Sequence, residues 1–313
     1  MHVAVIIPCH NVAHYVEAAL RSALDQEGVE VELIAVDDGS TDGTLGRLRE
    51  LESAHPGKVR VAALDKQGAA AARNHGLQRT AAPMVRFLDA DDALLPGALQ
   101  RQVALMERSG ADVVVGAYLK RFPDGRPDEL DTPWTGESWE GLVRTRLGTT
   151  SANLFRREAV LDAGGWDNDL RSSQDYELLF RMLKRGARIA VDDTPSSIVL
   201  KRERGSISRT DEQANWLRYI ELRRAIRDHL KALDPTGHAA IIATADQYLF
   251  MAIRVLSAHD RTAAFAAFDR IMPEGFIPEP SRATRSMYIC LYRLLGFRWA
   301  EWLAGVKDAM MGR

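Results

Sequence analysis

The run Phe87-Leu88-Asp89-Ala90-Asp91-Asp92 places three carboxylates within four residues. Like charges this close disfavour one another's ionised form, and a cation offsets that cost. Hard divalent ions take oxygen ligands, and Mg2+ is commonly held by one or two carboxylates together with substrate phosphates. Residues 89 and 91 are two apart, so on an extended strand end they point the same way. The run also reads as a solvated acidic loop that caps the next helix, with Asp92 as a helper. A second run, Val36-Asp37-Asp38-Gly39-Ser40-Thr41-Asp42-Gly43-Thr44, sets two carboxylates at a strand end, followed by turn and N-cap residues. A carboxylate there can accept hydrogen bonds from a base or a ribose. Its glycines do not fit G-x-G-x-x-G, and no G-x-x-x-x-G-K-[ST] occurs, which argues against a dinucleotide fold and a P-loop ATPase. His2, His14, His55, His75 and the later histidines have no metal-ligand spacing and read as surface or satisfied core residues. Cys9 and Cys290 form no CxxC pair and read as two buried small hydrophobes, without a disulfide framework or zinc site.

The elements that must position these groups alternate. Val3 to Ile7, Val31 to Val36, Val59 to Leu64, Met84 to Leu88 and Asp112 to Gly116 are short apolar runs of the kind buried on both faces of a sheet. Helical spacing appears between them: Val12, Val16, Ala19, Leu20 and Ala23; Leu45, Leu48 and Leu51; the alanine-rich stretch Ala69 to Leu77; and Leu99, Val103 and Met106. Strands alternating with helices predict an α/β domain whose central sheet is mostly parallel. Such sheets bind ligands at the carboxyl ends of their strands, where His10-Asn11, Asp37-Asp38 and Asp89 to Asp92 all fall. Tyr118 to Gly148 reads as loops with short elements. Ser151 to Arg156 and Ile189 to Val191 read as further strands, and Asp175 to Gly186 as a helix stopped by its glycine. From about Thr210 the pattern becomes helical throughout. The expected division is residues 1–210 for the α/β domain and 211–313 for a helical extension.

Taken in order, Val5-Ile6-Ile7-Pro8-Cys9-His10-Asn11, the Asp37-Asp38 run, Gly68 through Ala71-Ala72-Arg73-Asn74, the Asp89 to Asp92 run, Ala163-Gly164-Gly165-Trp166-Asp167, Gln174-Asp175-Tyr176-Glu177-Leu178 and Arg202 to Ser208 resemble the family 2 glycosyltransferases, which have the GT-A fold. The resemblance covers about residues 1 to 210. It implies transfer of a sugar from a nucleoside-diphosphate sugar, typically a UDP-sugar, to an acceptor hydroxyl on a glycan, a glycolipid or another polysaccharide precursor, with inversion. It implies that Pro8, His10 and Asn11 line the nucleotide pocket, His10 where the family often has a stacking Tyr. Asp38 looks like the carboxylate that reads the base. Asp89 would meet the ribose or the metal, with Ala90 beside it, and Asp91 would bind the Mg2+ or Mn2+ that bridges the diphosphate. Gly68, Arg73 and Asn74 resemble positions near the donor, although Arg73 reads equally as the partner of a carboxylate. Asp175 looks like the catalytic base. The family usually has Glu-Asp here, and Gln174 removes that neighbouring charge, which is expected to leave Asp175 more acidic. Alone, Asp175 is also a favourable first-turn acid. The loop with Arg202 and Ser206 resembles the one that closes over the diphosphate, and a guanidinium suits phosphate because it can bind two oxygens at once. Trp166 fits either an acceptor wall or the core.

The net charge of −2 lacks the basic excess of a nucleic-acid binder, so none is expected as a partner. Val3 to Ile7 is too short and lacks the basic flank of a signal peptide, and no uninterrupted apolar stretch spans a bilayer, so a cytoplasmic protein is expected. Met287 to Val306 mixes Tyr288, Leu294, Leu295, Trp299 and Trp302 with Arg293 and Arg298. It reads as a helix packed on the catalytic domain or in a homodimer, or as an interfacial helix touching the membrane peripherally near a lipid-linked acceptor. Two competing functions remain. A non-catalytic nucleotide-sugar-binding protein of the same fold is supported by Gln174. A sugar nucleotidyltransferase would want a Gly-rich basic signature where the chain has Pro8-Cys9-His10-Asn11.

Overall fold

The computed structural model describes residues 1–202, 211–281 and 284–310, the last five as backbone only. The chain divides into two compact units, Met1–Ser206 and Ile207–Arg313.

The first unit opens with β1 (His2–Cys9), α1 (Val16–Leu24), β2 (Glu30–Asp38), α2 (Thr44–Ala54), β3 (Val59–Leu64), α3 (Ala69–Gln78) and β4 (Met84–Phe87). Then come β5 (Ala93–Leu94), α4 (Ala98–Ser109), β6 (Val113–Arg121), β7 (Glu129–Asp131), α5 (Ser138–Val143), β8 (Leu154–Arg156), α6 (Arg157–Asp162), α7 (Gln174–Lys184) and β9 (Ile189–Leu200). The sheet runs β3-β2-β1-β4-β8-β6-β9-β5, with β7 beside β6. It is parallel from β3 to β4, as the sequence pattern leads one to expect. Beyond β4 it is mixed: β8 pairs antiparallel with both β4 and β6, and β6 pairs parallel with β9.

Val3, Val5 and Ile7 form one core with Leu20 of α1, Leu48 of α2 and Leu99 and Val103 of α4. Side chains alternate across a strand, so Ile6 faces the other way. There α3 comes close enough that a Cβ on Gly76 would lie 2.5 Å from Ile6 Cγ2. Apolar runs covered on both faces are what a βα alternation requires, and the same topology delivers the carboxyl ends of β1, β2 and β4 side by side.

The second unit is helical: α8 (Glu212–Leu233), α9 (Ala239–His259), α10 (Arg261–Ile271) and α11 (Ser286–Met310). By length and composition α9 could cross a membrane, but it carries Asp246, paired with Arg227 at 2.9 Å, and its Leu249, Phe250, Ile253 and Leu256 are the buried heart of this unit. Gly296, at φ 78° and ψ 173°, breaks α11. Cys9 is buried as expected, but Cys290 is exposed on α11, because the buried side of that helix is formed by Tyr288, Ile289 and Tyr292.

Candidate active site

Three segments meet at the carboxyl ends of β1, β2 and β4. The acidic run is not an extended strand end. β4 stops at Phe87, and the Asp92 amide donates to the Asp89 carbonyl at 3.0 Å, closing a tight turn. Ser151 Oγ accepts the Asp89 N–H at 3.0 Å. Asp89 Oδ1 receives Arg73 Nη2 at 2.7 Å, and Asp91 Oδ2 receives Arg202 Nε at 2.7 Å. Burial first, and the charge of Asp89 second, push the Asp91 carboxyl above the usual range against the pull of Arg202. Asp92 does not help a helix cap: its Oδ1 accepts the Leu200 amide at 2.9 Å and so ties the turn to the end of β9. Its carboxyl is raised by burial and by both neighbouring aspartates. Ala90 contributes no polar group; its methyl lies in the core with Leu88 and Leu94.

Beneath the turn, Arg86 is fully buried. It donates to the Ser151 carbonyl from Nε at 3.1 Å and Nη2 at 2.7 Å, to Ser196 Oγ at 3.2 Å, and to Gln102. Burial pushes its pKa down to about 9. A buried polar group is stable only when bonded, and this cluster fixes the serine that holds the Asp89 amide. Sequence reading missed Arg86 and Ser151, and only an apolar strand interrupted by an arginine signalled them.

Arg73 is buried and bridges two segments. Nη2 binds Asp89, Nη1 donates to Gln174 Oε1 at 2.9 Å, and the guanidinium lies 4.6 Å above the Trp166 ring. The carboxylate partner of one reading is present here as Asp89. Gln174 opens α7 and passes its own Nε2–H to the Leu170 carbonyl. The preceding Ser173 has φ 60°, a left-handed conformation costly for a non-glycine residue. Asp175 follows, half-buried, with Oδ1 accepting the Tyr176 amide at 3.0 Å. Burial pushes its carboxyl up; the Tyr176 amide and Arg73 pull the other way, and Asp89 adds to the rise. The acidity expected from Gln174 is therefore outweighed by desolvation.

Two residues expected near the donor also brace the fold. Asn74 Oδ1 accepts the Trp166 amide at 2.8 Å, and its Nδ2 donates to the Trp166 carbonyl at 2.7 Å and to Asn168 Oδ1 at 3.0 Å, so its polar atoms are spent on that loop. Gly165, at φ 71°, lets the loop approach: a Cβ there would sit 2.6 Å from Asn74 Oδ1. Trp166 takes the core reading, 2% exposed and edge-on to Phe87 at 5.0 Å. Asp38 is likewise buried, with Oδ1 receiving the Gln67 amide at 2.7 Å and Oδ2 the Gly68 amide at 2.8 Å. It fastens the entry of α3 to β2. At Asp37, Oδ2 takes the Ser40 amide at 3.2 Å, while the buried Oδ1 has no partner. Neighbouring residues on a strand face opposite ways, so the two carboxylates serve different neighbours.

Pro8 lies half-buried at the end of β1, opposite Val36. His10 Nδ1 sits 2.8 Å from the Asp38 carbonyl; a carbonyl only accepts, so Nδ1 carries the hydrogen. Asn11, at φ 52°, closes its loop through Oδ1 to the Thr41 amide at 2.8 Å and through its own amide to Ser40 Oγ at 3.0 Å. Arg202 also lies 5.3 Å from the Tyr15 ring, an aromatic the sequence did not single out. Ser206 lies outside the described residues.

Among the described residues no three acidic, imidazole or thiol groups converge as a metal cage. The donors of Asp89 and Asp91 are nonetheless all oxygen. That donor set fits a hard divalent ion whose shell is completed by phosphate and water.

A sequence model described as Glycosyl transferase family 2 matches residues 4–163. The succinoglycan biosynthesis protein ExoO of Rhizobium meliloti is 32% identical over 222 residues, which is 66% of this chain and 62% of that protein. The putative teichuronic acid biosynthesis glycosyltransferase TuaG of Bacillus subtilis is 33% identical over 59% of this chain and 73% of its own. Among solved structures, S. aureus TarS 1-349 in complex with UDP-GlcNAc superposes with a TM-score of 0.67 at 20% identity, covering 100% of this chain and 93% of that one. The mannosyltransferase PcManGT from Pyrobaculum calidifontis, in complex with GDP-Man and Mn2+, gives 0.57 at 21% identity, over 98% of this chain and 86% of its own. At such identities the structural likeness speaks for the fold.

Proposed function

The chain belongs to glycosyl transferase family 2, and on that premise we propose that it transfers a sugar from a nucleoside diphosphate, a UDP-sugar in the first instance, to a hydroxyl of a growing polysaccharide or its lipid-linked precursor, with inversion. The observation that carries this reading is the bridge through Arg73. One guanidinium holds the acidic turn and the first residue of α7 together, so the group proposed as base and the groups proposed to face the diphosphate share a site.

In this mechanism Asp175 accepts the proton of the acceptor hydroxyl as its oxygen attacks the anomeric carbon, which is general base catalysis. A single base without a protein nucleophile gives inversion. Asp38, at the end of β2, is the carboxylate proposed to read the base, its oxygens also accepting the Gln67 and Gly68 amides. Asp91, with Asp89, would hold Mg2+ or Mn2+, which neutralises charge on the departing diphosphate. Arg202, already beside Asp91, supplies further phosphate-binding donors. The polysaccharide setting is supported by the names of ExoO and TuaG, and the UDP and metal preferences by the ligands of TarS and PcManGT.

The test is release of nucleoside diphosphate from a panel of UDP-, GDP- and dTDP-sugars, with and without Mn2+. One donor should turn over in a metal-dependent way, and Asp175→Asn should lower kcat by about 10²–10⁴-fold. Calorimetric donor binding without turnover, with or without acceptors, would favour a binding protein instead. Binding of no donor would overturn both.

A further inference from the structure

Helix α11 is apolar on two opposite sides. Its inner side, with Tyr288, Tyr292, Phe297 and Ala300, packs into the core around Phe250. Its outer side carries Met287, Leu294, Leu295, Trp299 and Trp302, each 47–74% exposed. Residues 287, 290 and 294 are spaced three and four apart, one stripe of a helix surface. Beyond the break at Gly296, Trp299 and Trp302 stand edge to face at 6.0 Å. Single exposed apolar residues are ordinary; five on one helix, two of them tryptophan, form a patch that marks an interaction site.

Charge identifies the occupant. Residues 281–313 contain six basic side chains against two acidic ones in a chain whose net charge is −2. One of those acids, Glu301, is buried and bound by Arg254 at 2.6 Å, Ser257 Oγ at 2.6 Å and the Tyr288 hydroxyl at 2.6 Å. Arg285 and Arg293 are exposed, and Arg298 is exposed and paired with Asp269. A second copy docked on this face about a two-fold axis would bring like charges together. An anionic lipid surface meets them with the opposite sign, and tryptophans favour the depth of the headgroups.

We propose that the outer face of α11 seats the protein on a bilayer surface containing anionic lipids, as an interfacial helix and without spanning it. This rests on α11 alone and is independent of the transferase reading.

The full chain is sedimented with phosphatidylcholine vesicles and with vesicles also containing phosphatidylglycerol. Binding is expected to the mixed vesicles, weakened by salt, and reduced about tenfold or more in Trp299→Ser/Trp302→Ser. Circular dichroism and Tm of the variant should match wild type, because both side chains point outward; Leu294→Ser is the second variant should the pair disturb folding. An environment-sensitive fluorophore on exposed Cys290 should shift to the blue when mixed vesicles are added. Absence of sedimentation with mixed vesicles, or equal binding by the variants, overturns the proposal. So does a wild-type dimer that the same substitutions make monomeric, since the occupant would then be a second copy.

Discussion

Asp175 sits where burial makes it a weaker acid, which would make it a stronger base once ionised. Only the ionised form can take a proton, and its carboxyl is raised. The acid limb of kcat against pH should therefore turn at a pH above the ordinary aspartate value of about 3.9. Gln174→Glu adds a like charge next door and should move that turn further up; a profile that stays in place would remove Asp175 as the titrating base. The sign for stability runs the opposite way. A carboxyl whose folded pKa is raised binds its proton more tightly in the folded state, so its contribution falls as pH climbs from the unfolded pKa through the folded one. Asp175→Asn should thus melt no lower than wild type at neutral pH, with any gain vanishing near pH 3, while its activity is lost. The Asp37 and Asp38 pair makes a second contrast. Asp38→Asn turns an amide N–H toward the Gln67 or Gly68 N–H, leaving a buried donor unmatched at a cost of about 1–3 kcal/mol. Asp37→Asn keeps an oxygen for the Ser40 amide and loses no other bond, so its Tm should fall less, and its donor KM should stay near wild type while that of Asp38→Asn rises. Thermal melts and donor titrations of the two variants decide between these roles.

At the scale of elements, the loop from Gly164 to Asn168 depends on α3 through one side chain. Asn74→Ala removes three hydrogen bonds, each worth about 1 kcal/mol net. It should destabilise the protein by roughly 2–3 kcal/mol, measured by denaturant unfolding, and loosen the ring beneath Arg73. A change below 0.5 kcal/mol would show the loop to be held by other contacts. Periodicity made β1 to β4 and α1 to α4 legible, because each pairs with or packs on a neighbour close in sequence. In the other half β6, β8 and the start of β9 were legible as strands, but their pairing was not. β8 joins β4 across some seventy residues, Met84 opposite Arg156, and β5 is two residues long, so nothing local fixes their partners. The acidic run shows the same limit. Its residue types were legible as oxygen ligands, but the turn that aims them is set by Ser151 and Leu200, on segments whose approach only the fold supplies. Asp38 and Asn74 were visible as polar residues in the right places, yet all but one of their partners, Asn168, are backbone amides and carbonyls, which leave no trace in a pattern of side chains.

For the whole molecule, the decisive question is whether the protein builds its metal site alone or only together with substrate. Asp89 and Asp91 each give one oxygen to a guanidinium, and no third acidic or imidazole ligand converges on them among the described residues. An ion held by two such carboxylates gains most of its remaining shell from phosphate oxygens and water. Mn2+ alone should therefore raise Tm very little, and UDP alone modestly. The two together should stabilise by about 2.7 kcal/mol at a hundredfold excess over Kd. Chelation should cancel the part due to the ion, and Asp91→Asn should abolish it while sparing the response to UDP alone. Because only the folded state binds, the gain must scale with the logarithm of ligand concentration, which separates it from a general salt effect. Full protection by Mn2+ without nucleotide would mean a protein-built cage and would contradict the geometry of the acidic turn. Equal protection by UDP with and without the ion would assign the diphosphate to Arg202 and its neighbours alone.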